Sequence, residues 1–201
     1  MATRVIDDSK LQNIAVAIQD KDGGGQMTVD QMPTRIATIP TQDNALLYSL
    51  IDRSITSIEY DEVTSIGLGT FQDCTNLTSV SFPNVTSIYG SAFQNCTKLT
   101  SVSLPNATNI GSYVFQNCTK LTSVSLPNVT SIGQRVFRDC KNLSIVILGK
   151  RATLLNSNAF SGADNAIIYV QPEDLSWYST AANWSALYTA GRVKSIEELP
   201  T

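Results

Sequence analysis

Histidine is absent from this 201-residue chain, and no aspartate or glutamate occurs between Cys74 and Arg138. General acid–base catalysis needs histidine or carboxylate groups close together, and zinc needs histidine, cysteine or carboxylate ligands that converge on one point. The middle of the chain offers mainly serine, threonine, asparagine, cysteine and lysine, and a serine hydroxyl without a positioned base is a weak nucleophile. The sequence therefore predicts a protein that is not an enzyme and that uses neither a cofactor nor a metal.

Two further classes of protein are disfavoured by what the chain lacks. No apolar run approaches the roughly 18 residues of a membrane-spanning helix, and residues 1–10 lack the apolar stretch of a signal peptide. We therefore expect no membrane span, and either a trimmed leader or export by another route. A net charge of −3 gives no general attraction to DNA or RNA, so no nucleic-acid partner is expected.

The most informative pattern is an internal repeat of 22 residues, which carries four cysteines and four phenylalanines at constant spacing. They are Cys74, Cys96, Cys118 and Cys140, with Phe71, Phe93, Phe115 and Phe137. The same phase extends upstream to Ile55 and, with one inserted residue, downstream to Phe160. A fixed period in the twenties with apolar residues at matching phases predicts a solenoid of about five coils, whose faces bury one another.

Within each unit, a segment such as Leu99-Thr-Ser-Val-Ser-Leu-Pro alternates apolar and polar residues and predicts a half-buried strand that ends at the proline. The following Val-Thr-Ser-Ile-Gly segment predicts a second short strand, and Phe-Gln-Asn-Cys-Thr-Lys predicts a helical turn. Rows of asparagine and threonine are expected to satisfy backbone groups at the turns. The outward serines of the first strands form a candidate binding face: Ser79, Ser81, Ser101, Ser103, Ser123 and Ser125.

These motifs resemble the BspA-like, or Treponema-type, leucine-rich repeats of bacterial surface proteins over roughly residues 55–165. Where the general horseshoe repeats carry asparagine or cysteine, this chain has Val85, Ala107 and Val129, which favours the BspA-like subclass. The resemblance implies an α/β leucine-rich-repeat solenoid with a parallel sheet. It also implies a bacterial protein displayed on the cell surface.

The segments outside the repeat predict two ends of different character. Residues 8–21 are patterned as an amphipathic helix and residues 44–52 as another, so residues 1–54 are either a cap or an attachment segment. The opening segment resembles tail-associated proteins in prophages of gut Firmicutes. Residues 166–201 predict an α/β C-terminal cap, with Pro172 in the first helical turn and Gly191 as a stop.

The cysteine ladder has three interpretations. Coils spaced ~4.8 Å apart would allow the Cα separations of disulfides, but equivalent side chains in a solenoid point the same way. A linear row of thiols also does not converge on a tetrahedral zinc. We therefore expect four buried, reduced thiols.

Two other clusters are left with two interpretations each. Five basic residues fall in or next to the last coil, where they either hold an anionic polymer or keep a rim solvated: Arg135, Arg138, Lys141, Lys150 and Arg151. Four aromatic residues of the C-terminal segment either stack on sugars or form the core of the cap: Trp177, Tyr178, Trp184 and Tyr188. Two tryptophans seven residues apart would share one side of a helix, which favours the core.

Taken together, the sequence predicts a non-catalytic recognition or adhesion module that binds a protein or glycan partner on a bacterial surface or a virion tail. The alternative is a structural spacer of a larger particle that docks or self-associates through the N-terminal helix.

Overall fold

The computed structural model describes residues 53–61 and 63–200, and it confirms a solenoid built from two parallel sheets. The predicted helices at 8–21 and 44–52 lie outside the described residues. Each coil contributes one strand to each sheet. The first sheet contains β1 Ser57–Glu59, β3 Ser79–Ser81, β5 Ser101–Ser103, β7 Ser123–Leu126, β9 Ile145–Leu148, β11 Ile167–Val170 and β12 Val193–Ser195. The second sheet contains β2 Ser65–Ile66, β4 Ser87–Ile88, β6 Asn109–Ile110, β8 Ser131–Ile132 and β10 Thr153–Leu154.

The helices of the described residues are short and belong to the last coil and the C-terminal segment. They are α1 Leu175–Thr180 and α2 Ser185–Thr189, with 3-10 helices at Ser157–Phe160, Pro172–Asp174 and Ile196–Glu198.

The core of the solenoid is a stack of equivalent apolar layers. Five phenylalanines at the same phase lie with consecutive ring centroids 5.2 to 5.6 Å apart and nearly parallel planes: Phe71, Phe93, Phe115, Phe137 and Phe160. Leu99 and Leu104 are buried as predicted, whereas Val102 is only partly buried. Because every layer packs against the next one, the apolar side chains that a single coil would leave exposed are removed from water.

The inserted residue of the last coil lies between β10 and Phe160, and a deletion before β11 offsets it. Leu154 pairs with Ile132 at a spacing of 22 residues, whereas the stacked rings of Phe137 and Phe160 are 23 apart. The spacing returns to 22 where Ile167 pairs with Ile145. The register of the first sheet is therefore kept up to the C-terminal segment.

The predicted helical turn at Phe-Gln-Asn-Cys-Thr-Lys is wrong for the central coils. Asn95 and Asn117 have φ of 62° and 60°, a left-handed conformation that cannot continue an α-helix. The chain instead makes consecutive turns, in which the amide of Cys96 donates to the carbonyl of Phe93 at 3.2 Å. In the last coil, a 3-10 helix, Ser157–Phe160, precedes the equivalent segment and ends at its first residue.

The asparagine and threonine rows bond to the preceding coil, as expected. Asn106 and Asn128 each donate from Nδ2 to the carbonyl oxygen of a proline one coil earlier, at 2.8 Å in both cases. The proline that precedes each asparagine has no N–H, so the asparagine amide supplies the donor that the ladder lacks. Threonine hydroxyls donate in the same way along the row Thr64, Thr86, Thr108 and Thr130.

The C-terminal segment begins and ends its helices where predicted, but its tryptophans do not share one helix. Pro172 opens a 3-10 helix that leads into α1, and Gly191 follows α2 with φ of 70°. Trp177 lies in α1, whereas Trp184 is the N-cap of α2. The prediction of one shared helix side is therefore wrong, because a break separates the two helices.

The same segment covers the exposed edge of the second sheet. The indole N–H of Trp184 donates to the carbonyl oxygen of Ala152, and the hydroxyl of Tyr178 accepts from the amide of Ala152 at 3.1 Å. Asn183 donates from Nδ2 to the carbonyl oxygen of Leu154 at 2.9 Å. Backbone groups beside and within the edge strand β10 are thus satisfied by side chains, which prevents the edge from pairing with another strand.

Candidate binding surface

The structure brings all six predicted serines onto the outer face of the first sheet. Ser79 pairs with Ser101, Ser81 with Ser103, and Ser103 with Ser125. Since Ser123 lies two residues before Ser125 on β7, it continues the other column. The serines of β5 and β7 are exposed, and those of β3 are partly exposed. We call this surface the serine face.

The serine face has different residues at its two ends. Glu59 pairs with Ser81 on the side of the first coil. On the other side, Ser123 pairs with Ile145 and Ser125 pairs with Ile147, so the face becomes apolar towards the C-terminal segment. Flanking the central strands, Lys98 and Lys120 are exposed at the entry to β5 and β7, and Lys98 donates to the side chain of Asn76 at 2.8 Å. These two lysines were not among the predicted binding residues.

The five predicted basic residues fall into two groups on either side of β9. Arg135, Arg138 and Lys141 belong to the segment between β8 and β9, whereas Lys150 and Arg151 follow β9. Arg138 pairs with Asp139 at 3.2 Å, and Arg151 pairs with Asp174 at 2.6 Å.

Lys141 is the member of this group that stands closest in phase to the lysines beside the serine face. It directly follows Cys140, just as Thr119 follows Cys118 one coil earlier and immediately precedes Lys120. The residue in phase with Lys98 and Lys120 in the next coil is Asn142, so Lys141 lies one position before their row.

The cysteine ladder is buried and unpaired, as predicted. Each of Cys96, Cys118 and Cys140 directs its thiol to a phenylalanine carbonyl of the preceding coil, with Sγ to O distances of 3.0 to 3.2 Å. Burial raises the pKa of Cys74 to about 11 and that of Cys140 to about 12. These thiols are neutral at physiological pH and have no nucleophilic thiolate. Among the described residues, no group of three or more potential ligands could hold a metal ion.

A family model for the BspA type leucine-rich repeat region matches residues 47–167 with six copies of the repeat, which is more than half of the chain. The chain belongs to the BspA-type leucine-rich repeat family. The predicted resemblance is thus confirmed for the repeats, whereas the resemblance of the opening segment to prophage tail-associated proteins stays a prediction. No curated protein matches the chain.

Solved structures of bacterial leucine-rich repeat proteins are similar to this BspA-type array. The crystal structure of the leucine-rich repeat protein of T. pallidum has a TM-score of 0.51 and 28% identity, covering 57% of this chain and 58% of that one. A leucine-rich cell surface protein from Faecalibacterium prausnitzii has a TM-score of 0.46 at 26% identity, covering 58% of this chain and 39% of that one. A leucine-rich repeat protein from Bacteroides ovatus has a TM-score of 0.44 at 28% identity, covering 58% of this chain and 37% of that one. The chain thus spans less than two thirds of the length of each of these structures.

The aromatic residues after the BspA-type array mostly serve the cap. Tyr178 and Trp184 are fully buried, with ring centroids 4.9 Å apart in an edge-to-face arrangement. Trp177 and Tyr188 are partly buried against the same cluster. This packing favours the predicted cap core over a sugar-stacking platform. In residues 53–61 and 63–200, no helix is both long enough and apolar enough to cross a membrane.

A second surface of the array was missed by sequence analysis. The segments that follow the strands of the second sheet meet along one corner of the solenoid, which we call the corner ridge. Its members are Leu68, Tyr89, Tyr113, Arg135 and Leu155. The signal that could have found it is a departure from the repeat, because Tyr89 and Leu155 stand at the phase where other coils carry Gly67, Gly111 and Gly133.

Proposed function

We propose that this protein is a non-catalytic recognition or adhesion module, displayed on a bacterial surface or a virion tail, that binds a protein or glycan partner on the serine face. Membership of the BspA-type family supports this, because leucine-rich repeat proteins of this type are generally interaction or adhesion modules and are typically found at bacterial surfaces. The observation that carries the proposal is the in-register pairing of the serine columns. It presents hydroxyl groups of three consecutive coils, from β3 to β7, on one flat surface.

The charge around the serine face favours a partner with anionic groups. Lys98 and Lys120 lie beside it, and no carboxylate occurs between Cys74 and Arg138. Serine hydroxyls both donate and accept hydrogen bonds, so they suit hydroxyl or amide groups of either a glycan or an extended peptide. Lysine side chains add long-range attraction that depends on ionic strength.

The size of the serine face limits the affinity of a single copy. Three strands spaced at ~4.8 Å and three residues of ~3.3 Å each present only about 140 Å² in projection. A stable protein interface takes ~800 Å² per partner and is anchored by aromatic or arginine residues. The proposed partner is therefore slender, and firm attachment requires several copies that act together.

A substitution at the centre of the face tests this proposal. Ser103→Tyr places a ring over the middle strand, and Ser131→Tyr places the same ring on the second sheet as a matched control. Binding of the full chain is measured on an array of neutral and anionic glycans and on a panel of purified acidic and basic proteins. We expect Ser103→Tyr to weaken binding at least ~10-fold while the control binds normally.

A second variant, which carries both Lys98→Glu and Lys120→Glu, tests the contribution of positive charge to binding. Binding should fall strongly at low salt and weakly at high salt, because salt screens exposed charges. Binding that Ser103→Tyr leaves unchanged, or no binding to any probe, would contradict the proposal.

The alternative role as a spacer that docks through its N-terminal helix concerns residues outside the described ones, and it stays a prediction. The same holds for self-association and for the division into residues 1–54, 55–165 and 166–201.

A further inference from the structure

The corner ridge combines two independent features of side-chain identity that packing of the solenoid does not require. The first is exposure. Leu68, Tyr89 and Leu155 are exposed by 60%, 54% and 65%, and they are the large hydrophobic side chains that are exposed among the described residues. Single exposed hydrophobic residues are ordinary, but here all three occupy two adjacent phases of the repeat, at one corner.

The second feature is the presence of bulky side chains at a position where the first four coils share a left-handed backbone. Tyr113 and Arg135 have φ of 65° and 56°, at a phase where the first coils carry Gly69 and Ser91 with φ of 62° and 57°. A bulky side chain is a rare occupant of the left-handed region, which glycine adopts without cost. Strained residues of this kind persist where the surrounding structure holds them, and they cluster at functional sites.

The members of the ridge are in contact with one another or with neighbouring coils. The Cδ1 atom of Leu68 lies 3.2 Å from the position that a Cβ on Gly90 would take, so Leu68 covers the residue after Tyr89. The guanidinium carbon of Arg135 lies 5.7 Å from the ring centroid of Tyr113. Gly111 and Gly133, between Tyr89 and Leu155, lie with their backbone against the preceding coil. The middle of the ridge is therefore formed by the backbone of Gly111 and Gly133. Side chains stand at its two ends and along one side.

The charge and composition of the ridge specify the kind of partner. None of the five corner segments, residues 67–70, 89–92, 111–114, 133–136 and 155–158, contains a carboxylate, and no carboxylate of the described residues pairs with Arg135. Tyrosine and arginine are, together with tryptophan, the residues most enriched among those that dominate binding energy in protein interfaces. A carboxylate presented to Arg135 would be held in a charge-assisted hydrogen bond.

We propose that the corner ridge binds an extended segment of a partner protein that carries aliphatic side chains and at least one carboxylate. The ridge spans four coil spacings of ~4.8 Å, or about 19 Å, which accommodates about six residues of extended chain at ~3.3 Å each. Apolar side chains of the segment pack on Leu68, Tyr89 and Leu155, while its carboxylate pairs with Arg135. This site is separate from the serine face, so either proposal can fail without the other.

The test is selection of a random linear octapeptide phage library on the full immobilised chain. We expect enriched peptides to contain aliphatic and acidic residues. Their synthetic versions should bind at least ~10-fold more weakly to the double variant Tyr89→Ala and Leu155→Ser, and more weakly to Arg135→Gln at low salt. The control is Glu173→Tyr, at an exposed position of the 3-10 helix Pro172–Asp174 that belongs to neither surface, and it should leave peptide binding unchanged. Thermal melting verifies that the variants are folded, and Leu68→Ala provides a second, single-site variant.

Three outcomes would overturn the proposal: no peptide is enriched, the enriched peptides bind the ridge variants as well as the original protein, or they depend on Ser103. A parallel glycan array distinguishes the class of ligand. Glycan binding that is lost in Tyr89→Ala, in the absence of peptide binding, would assign the ridge to carbohydrate and refute a protein partner.

Discussion

The indole Nε1 of Trp184 lies 2.6 Å from the carbonyl oxygen of Ala152, so the last coil of the array is closed by a side chain from the C-terminal segment. Trp184 is fully buried, and its ring centroid lies 6.2 Å from that of Phe160, the last member of the phenylalanine stack. One residue therefore covers both the apolar core and a backbone acceptor. An open array would expose both of them to water.

Trp184→Phe should lower the free energy of unfolding by about 1–3 kcal/mol, because it keeps much of the ring but leaves the Ala152 carbonyl without its donor. Trp184→Ala should cost about 3–5 kcal/mol, since it also opens a cavity. Urea unfolding measures both values. The control is Trp177→Phe, which alters a partly buried ring packed on Tyr178 and should cost under about 1 kcal/mol. Equal losses at Trp177 and Trp184 would show that the hydrogen bond to Ala152 contributes nothing specific.

Phe115→Ala should cost about 3–5 kcal/mol, because the ring is fully buried between Phe93 and Phe137, with both centroids 5.6 Å away. Denaturant unfolding gives the value, and the exposed substitution Ser103→Ala should stay within about 0.5 kcal/mol of the original protein. A loss under about 1 kcal/mol would place the phenylalanine row outside the core.

The four cysteines should be inaccessible to a thiol-reactive dye in the native protein and fully labelled in denaturant. Their burial keeps them away from the reagent, and the raised pKa of each thiol removes the reactive thiolate. Counting labelled sites by mass spectrometry should give few or none before unfolding and four after it. Fast native labelling of several sites would contradict the buried ladder.

Stability should fall as the pH rises above about 9, the ordinary pKa of a thiol. Burial raises the folded-state pKa of Cys74 to about 11 and that of Cys140 to about 12, so above pH 9 the unfolded state loses protons that the folded state keeps. The stabilisation is therefore complete below pH 9 and is lost as the pH rises towards the folded values, with a slope of up to about 1.4 kcal/mol per pH unit for each thiol.

Urea unfolding at pH 8, 9, 10 and 11 measures this slope. Cys140→Ala removes one titrating group and should make the decline shallower, although the variant is less stable at pH 8 because it leaves a small cavity. An unchanged slope in this variant would mean that other groups control alkaline unfolding.

The parallel solenoid could be predicted because the same pattern of residues recurs in every coil. A constant spacing of 22 residues fixes the pairing of Ser79 with Ser101, and alternation then places the serines outside and Leu104 inside. Burial of the cysteines follows from the same geometry. These features depend on phase alone, which can be counted along the chain.

Turn conformation and the corner ridge could not be predicted in the same way. The left-handed backbone at Asn95 is a local choice between a helical turn and two consecutive turns, and residue spacing does not distinguish them. Contact between Tyr113 and Arg135 depends on a backbone conformation that neither residue favours. The break between α1 and α2 also separated two tryptophans that the helical period had placed together.

Replacing Tyr113 by glycine and by alanine separates the cost of its backbone conformation from the contribution of its ring. Both variants remove the ring and its contact with Arg135, but only alanine keeps a Cβ at a φ of 65°. Tyr113→Gly should therefore be more stable than Tyr113→Ala by about 1 kcal/mol, as measured by urea unfolding.

Ser91→Gly and Ser91→Ala form the matched pair at the same phase one coil earlier, and they should show the same order of stability. A more stable alanine variant at either site would mean that the backbone is not left-handed there in solution. If Tyr113→Gly keeps the fold and its stability while peptides selected on the corner ridge bind it more weakly, the ring is retained for binding and not for packing.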